Sequence, residues 1–382
     1  MRDLANQRSY DVIILGAGII GLATALELAK RHRRVGVLDT GTAFAGASSA
    51  AGGMLVPWAE MHETNALQEL SIASLKSYPD FVRELAQFSD VTLRMNGILE
   101  TAATQSDIDR LAKRAQQLAS LGVSARILKR DEIVEHEPML TSNLLGALLT
   151  RAGGCIANRD LGHALKAACK AHGVSVAERI ESPELLHDGK RVLGVRVAGM
   201  RRSCETVINA TGAWAARVSG VPDSCSAKVY PVRGQLITLR TVNRAELQRV
   251  TWSNGIYGVP RGDGYVDIGA TSEDVGFDAR TTRDGVTGLL ASATAAFPTL
   301  RESSCVRAWV GLRPATKDGW PLLGATPLNG YVLATGHYRH GILLAPITAK
   351  LLVDAITNHD FTKLAPFSLD RLGRTTAPET VC

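Results

Sequence analysis

The chain has 382 residues, 45% of them hydrophobic and 21% charged, which excludes a disordered or fibrous polymer and asks for more than one compact core. Its net charge is +6, but the basic residues are dispersed; the densest runs, Lys30 to Arg34 and Arg201-Arg202, are short and poor in aromatics, so they fit solvated surface better than a nucleic-acid site. The six cysteines (Cys155, Cys169, Cys204, Cys225, Cys305 and Cys382) form no C-x-x-C pair and read as reduced thiols, mostly buried, of a cytoplasmic protein, with neither a disulfide frame nor a metal site.

The N-terminal residues Arg2, Asp3, Asn6, Gln7 and Arg8 are polar, and no apolar h-region suggests a signal peptide. No run of 18 apolar residues suggests a membrane span. Tyr10 to Leu15 reads as a buried strand, with three β-branched residues in its apolar run. It leads into G-x-G-x-x-G, made by Gly16, Gly18 and Gly21, and then into a helix that ends in Lys30, Arg31 and His32. Gly16 permits a tight turn, Gly18 lets a pyrophosphate approach the helix N-terminus, and Gly21 lets helix and strand pack closely. A second strand, Arg34 to Leu38, ends in Asp39, eighteen residues beyond Gly21. An acid at that distance accepts hydrogen bonds from the ribose hydroxyls of an adenine dinucleotide.

Gly41 to Leu55 is a run of small residues expected to be a loop entering a short helix, with amides available to phosphate and a cofactor edge. Asn65 to Phe88 carries helical apolar spacing, with Pro79 expected to break or kink it. Val91 to Arg94 and Gly97 to Thr101 read as short strands around a turn at Met95-Asn96-Gly97. Asp107 to Leu121 reads as a helix capped by Ser106 and closed by Gly122; Arg130 to His136 is a helical turn ended at Glu137-Pro138. The dinucleotide pattern resumes with a helix from Asp160 to His172, strands at Val174 to Val176 and Arg191 to Val197, and a stretch from Glu205 to Trp214 that reads as a strand ending in a small-residue turn. Tyr230 to Ser304 is strand-rich, with Gly262-Asp263-Gly264 as a hairpin signal. A strand at Gly330 to Gly336 and a helix at Ile347 to Thr357 return to the first domain.

Three further motifs carry a resemblance. They are Ala47-Ser48-Ser49-Ala50-Ala51-Gly52-Gly53-Met54-Leu55, the run Gly311 to Gly324 around Leu312-Arg313-Pro314, and Gly336-His337-Tyr338-Arg339-His340-Gly341-Ile342-Leu343-Leu344-Ala345-Pro346. With the N-terminal glycines they resemble the FAD-dependent amino-acid oxidase superfamily over nearly the whole chain. The third motif, together with Tyr257 in I-Y-G-V-P-R, is most similar to the glycine oxidases of thiamine biosynthesis. The resemblance implies an α/β fold: a Rossmann-like FAD-binding domain over 1–88, 152–226 and 306–382, and a mostly antiparallel α+β substrate domain over 89–151 and 227–305. It implies non-covalent FAD held by Gly16, Gly18, Ile19, Ile20, Gly21, Asp39, Thr40, Ala47, Ser48, Gly52, Gly53 and Met54, by Ser182 on a loose count from Gly173, and by His337, Tyr338, Arg339, His340, Gly341, Ile342 and Leu343. It implies Tyr257, Arg313 and Arg339 at the substrate, and a homotetramer. Asp39 stands where the family has Glu, and His340 where Asn is common.

The implied chemistry moves a hydride from the substrate Cα to the flavin. It needs no side-chain base at Cα, and the sequence offers no obvious one. It does need a grip on the substrate carboxylate, for which the planar, permanently charged fork of Arg is suited. Without the family pattern Arg313 would read as a surface residue before a proline turn, Arg339 as a packing or phosphate contact, and Tyr257 as core. The expected activity is oxidation of glycine, sarcosine or D-alanine by O2. A D-amino-acid dehydrogenase feeding a quinone, a tRNA-modifying flavin domain and a flavoprotein without turnover remain open alternatives at this point.

Overall fold

The computed structural model describes residues 9–58 and 65–373; the polar N-terminal residues through Arg8 and Cys382 lie outside them. The chain forms two compact units. Met1–Ser49, Gly162–Pro231 and Arg313–Cys382 make the first; Ala50–Leu161 and Val232–Leu312 make the second.

The first unit is built on a six-stranded sheet in the order Leu322–Ala325, Tyr331–Thr335, Thr206–Asn209, Val12–Leu15, Val35–Leu38, Ser175–Ala177. All pairs are parallel except that of Leu322–Ala325 with Tyr331–Thr335. The four residues of Val12–Leu15 and of Val35–Leu38 are all buried, which is why they read as unbroken apolar runs without alternation. Helix Ile19–Lys30 has ten buried residues and packs against helix Gly341–Asn358. The latter is long and apolar enough to cross a membrane by length and composition. Its Leu344, Leu352 and Val353 have no solvent exposure, as in the core helix of a globular unit. A three-stranded antiparallel ribbon, Glu184–His187, Val192–Val197 and Met200–Arg202, completes the unit.

The second unit has an eight-stranded sheet in the order Ser304–Ala315, Tyr230–Arg240, Tyr265–Gly269, Ile256–Gly262, Val250–Ser253, Ile98–Ala102, Gly146–Thr150, Ala125–Lys129. From Tyr230–Arg240 onward in that order the pairing is antiparallel apart from Val250–Ser253 with Ile98–Ala102. Leu99, Leu128, Ala147, Ile237, Ile268 and Phe297 form its core. Residues 50–58, 65–88, 152–161 and 306–312, placed with the cofactor domain from the sequence, fall in this unit, and residues 227–231 fall in the first. Met54–Leu55 pairs with Gly154–Ile156, a long-range partner that local spacing does not reveal.

Several elements differ from the sequence reading. Helix Ala66–Leu85 runs through Pro79 without ending. Leu93–Arg94 pairs with Gly154–Ile156, and Ile98–Ala102 pairs with Gly146–Thr150, so the two are not hairpin partners. Helix Gln105–Ser120 is capped by Thr104, whose hydroxyl accepts from the Asp107 amide while the Asp107 carboxylate returns to the Thr104 amide. That reciprocal box outcompetes Ser106. Helix Gly341–Asn358 starts six residues before its expected first turn, and Arg283–Ala296 is a helix inside the stretch read as strands.

Candidate active site

In the first unit the strand–turn–helix closes around Gly16, whose φ is +97°. Its amide donates to the Leu38 carbonyl at 2.8 Å. A Cβ on Gly16 would sit 2.5 Å from the Ala210 carbonyl oxygen, and one on Gly21 would collide with the Gly16 carbonyl oxygen. Both positions therefore exclude side chains. Gly18 caps helix Ile19–Lys30 in an extended conformation without a side-chain cap. The Ser48 hydroxyl accepts from the Ile19 amide at 2.9 Å, which brings Ala47 and Ser48, on the short helix Gly46–Ala50, to the positive end of the helix dipole.

Asp39 follows the second strand and is half-buried. One carboxylate oxygen accepts from the Ala17 amide at 2.6 Å and the other from the Gly41 amide at 2.7 Å. The acid thus holds the turn and the exposed Thr40 segment while retaining lone pairs for another donor. Ala177 to Ile180 runs beside it, with Asp39 donating to Ala177, Arg179 to Gly41 and Ile180 to Asp39. Ser182 lies two residues further on and is exposed.

His337 is 2% exposed and bonded to the Thr348 hydroxyl at 3.2 Å. Burial, with the neighbouring His340, pushes its pKa down to about 3, so the ring is neutral at physiological pH. Tyr338 adopts φ +47° and its amide donates to the Pro314 carbonyl at 2.9 Å. That bond brings Arg313 and Arg339, distant in sequence, onto adjoining segments. Arg313 is half-buried near the end of strand Ser304–Ala315, and Arg339 is exposed, its guanidinium 5.0 Å from the Tyr338 ring centroid. Gly341, Ile342 and Leu343 form the first turn of helix Gly341–Asn358, and the His340 carbonyl accepts the Leu344 amide.

In the second unit, Gly52 and Gly53 are buried and lead into strand Met54–Leu55. Gly53 has φ +67°, and a Cβ there would collide with the Ile156 carbonyl oxygen. Tyr257 pairs with Gly269 across the sheet. Its ring occupies the space a side chain on Gly269 would need, within 2.5 Å of the absent Cβ, and lies 3.3 Å from where a Gly52 Cβ would stand. Trp252 meets it edge-on at 5.5 Å.

The sequence profile of the family described as FAD dependent oxidoreductase matches residues 11–355. The chain belongs to that family. It is 36% identical to the glycine oxidase of Geobacillus kaustophilus over 367 residues, covering 95% of this chain and 97% of that protein. The crystal structure of glycine oxidase from Geobacillus kaustophilus superposes with a TM-score of 0.90 over 97% of this chain and 100% of that one. The bifunctional protein ThiO/ThiG of Synechocystis is 34% identical over 380 residues, and the chain spans 55% of its length.

The oxidoreductase is FAD-dependent, and its own geometry fits that cofactor. The side-chain-free turn at Gly16 and Gly21, the helix start at Gly18 and the acid at the end of the second strand suit a pyrophosphate and a ribose. The amides of Gly52 and Gly53, though buried, donate to no acceptor among the described residues, and buried amides ordinarily have a partner. Among the described residues no group of His, Cys, Asp and Glu could hold a metal ion. Cys155, Cys169, Cys204 and Cys225 are buried free thiols and Cys305 an exposed one. Sequence reasoning missed Arg261, Asp267 and Trp309, which brace the Ala50–Gly53 loop; only the Arg of the I-Y-G-V-P-R motif offered a signal.

Proposed function

We propose that this oxidoreductase oxidises glycine and other small primary or secondary amines, sarcosine and D-alanine among them. The observation that carries this reading is the match to a protein named glycine oxidase over almost the full length of both chains. Non-covalent FAD, held by the residues named below, would supply the two-electron redox chemistry by which the amine loses the Cα hydride and one N–H proton and O2 becomes hydrogen peroxide. The imine then hydrolyses to glyoxylate and ammonia, or serves as iminoglycine for the thiazole of thiamine, a role consistent with relatives named ThiO/ThiG.

Arg313 anchors the substrate carboxylate. It is the half-buried one of the two arginines on the segments joined by the Tyr338–Pro314 bond, and a partly desolvated fork holds a carboxylate better than an exposed one. Arg339 adds positive charge to the carboxylate end, and Tyr257 is a third substrate contact. Gly16, Gly18, Ile19, Ile20, Gly21, Asp39, Thr40, Ala47 and Ser48 hold the dinucleotide; Gly52, Gly53, Met54 and His337 to Leu343 hold the flavin. A neutral His337 adds no charge there. The enzyme works in the cytoplasm as a homotetramer.

The test is an anaerobic titration of the yellow protein with glycine, sarcosine, D-alanine, D-proline and D-phenylalanine. Glycine should bleach the visible flavin band, and readmitted air should restore it with one peroxide per glycine. Bleaching without peroxide in air would move the enzyme to the quinone-linked dehydrogenases. No bleaching by any amine would leave a flavoprotein without this activity.

A further inference from the structure

We propose that Arg261 is a positioning residue that aims the Gly53 amide at the flavin. The inference rests on the assignment of Gly52 to Met54 to the flavin made above. Arg261 lies on strand Ile256–Gly262 and its three guanidinium nitrogens face three separate partners. Nε donates to Asp267 Oδ2 at 2.6 Å, Nη2 to the Gly52 carbonyl at 2.7 Å, and Nη1 to the Ile156 carbonyl at 3.3 Å. Asp267 is itself fixed by the Thr238 hydroxyl at 2.6 Å. The side chains of Arg261 and Asp267 are 18% and 10% exposed, so this ion pair is sheltered from the screening that weakens surface pairs.

Three carbonyls at the end of the small-residue loop are held by groups from elsewhere in the second unit. Trp309 Nε1 donates to the Ala50 carbonyl at 3.0 Å, Arg261 to that of Gly52, and the Ile156 amide to that of Gly53 at 2.8 Å. In a trans peptide the N–H points opposite to the C=O. Holding the Gly52 carbonyl toward Arg261 therefore turns the Gly53 amide the other way, where it has no acceptor among the described residues. A cation on the carbonyl also polarises the peptide and strengthens its N–H as a donor. Such a donor suits an electron-rich ring edge that gains negative charge on reduction. Arg261 thus acts on the flavin through the Gly52–Gly53 peptide without touching it.

The experiment compares wild-type holoenzyme with Arg261→Ala, Arg261→Lys and Asp267→Asn. Four quantities are read: the FAD dissociation constant of deflavinated protein, the visible spectrum of bound flavin, its midpoint potential, and the melting temperature of the apoprotein. Arg261→Ala should weaken FAD binding about tenfold, as for one lost charge-assisted bond. It should also lower the midpoint potential and shift the visible band. Arg261→Lys should recover part, because an ammonium can still reach one carbonyl. If Arg261→Ala is insoluble, the lysine and Asp267→Asn variants decide. An unchanged spectrum and potential would overturn the proposal, whether or not the apoprotein melts lower, because a mere brace would move stability alone. Gly53→Ala separates the two levels. If it perturbs the flavin spectrum while the Arg261 variants do not, the loop assignment stands and the role of Arg261 falls. If neither perturbs it, the loop assignment itself falls.

Discussion

Glu137, just after helix Arg130–His136, has no solvent exposure, and burial pushes its pKa from an ordinary 4.5 up to about 7. One carboxyl oxygen accepts the Gln248 amide at 2.8 Å; the other has no hydrogen-bond partner among the described residues. Arg249 is near enough to oppose the shift but does not overcome it; its Nη2 is committed to the His136 carbonyl. Below pH 4.5 the folded and unfolded states both carry the proton. As pH rises toward 7 the unfolded chain loses it first, so stability falls across that window and is level above it. At about 1.4 kcal/mol per pH unit the loss is about 3 kcal/mol. Glu137→Gln does not titrate, and its carbonyl can keep the bond to Gln248. Its amide nitrogen faces the unpartnered side, at a cost of about 1 kcal/mol. The variant should therefore be about 1 kcal/mol less stable than wild type at pH 4 and about 2 kcal/mol more stable at pH 8. Urea titrations followed by circular dichroism at several pH values measure the gap. A gap that does not change with pH would refute the reasoning.

Asp39→Ala should strand the Ala17 and Gly41 amides, lowering apoprotein stability by about 2 kcal/mol and FAD affinity at least about tenfold. Asp39→Asn keeps one acceptor and should lose about half as much free energy, read by FAD fluorescence titration and thermal melting. Unchanged FAD affinity would assign the ribose to another residue. Arg313→Ala should cut kcat/KM for glycine by about 2–5 kcal/mol with normal FAD content, much of it in KM, and Arg313→Lys should recover only part. N-methylethylamine, which has no carboxylate, should be a poor substrate and nearly indifferent to the change. Equal losses with both substrates would shift the anchor to Arg339.

The cofactor turn was legible because its constraints are mostly local. Gly21 lacks a side chain because of Gly16 in the same strand–turn–helix, and Asp39 closes that turn, whereas the Cβ that Gly16 cannot carry is excluded by the distant Ala210. The second unit was less legible because its constraints are long-range. Met54–Leu55 finds its partner at Gly154–Ile156, a hundred residues away, and Arg261 reaches back to Gly52. Nothing in the spacing of either segment names the other. Pro79 misled for a different reason: a proline forfeits one helical hydrogen bond, and helix Ala66–Leu85, with ten buried residues, keeps enough packing to continue. Arg313 and Arg339 were singled out through motifs, but the joining of their segments depends on the bond from Tyr338 to Pro314, which no pattern in either stretch announces.

The order of strands in the first unit has a consequence for biogenesis. Val12–Leu15 leaves the ribosome early, yet its neighbour Thr206–Asn209 and the next strand, Tyr331–Thr335, come much later, as does helix Gly341–Asn358. At typical synthesis rates the first glycine turn waits about 15–70 s for the rest of its sheet. Until Thr206–Asn209 emerges, Val12–Leu15 can pair only with Val35–Leu38, and until Tyr331–Thr335 follows the sheet keeps a bare apolar edge of the kind that recruits other chains. The part of the molecule that begins first is thus completed last. Completion of the first sheet is therefore confined to the end of synthesis.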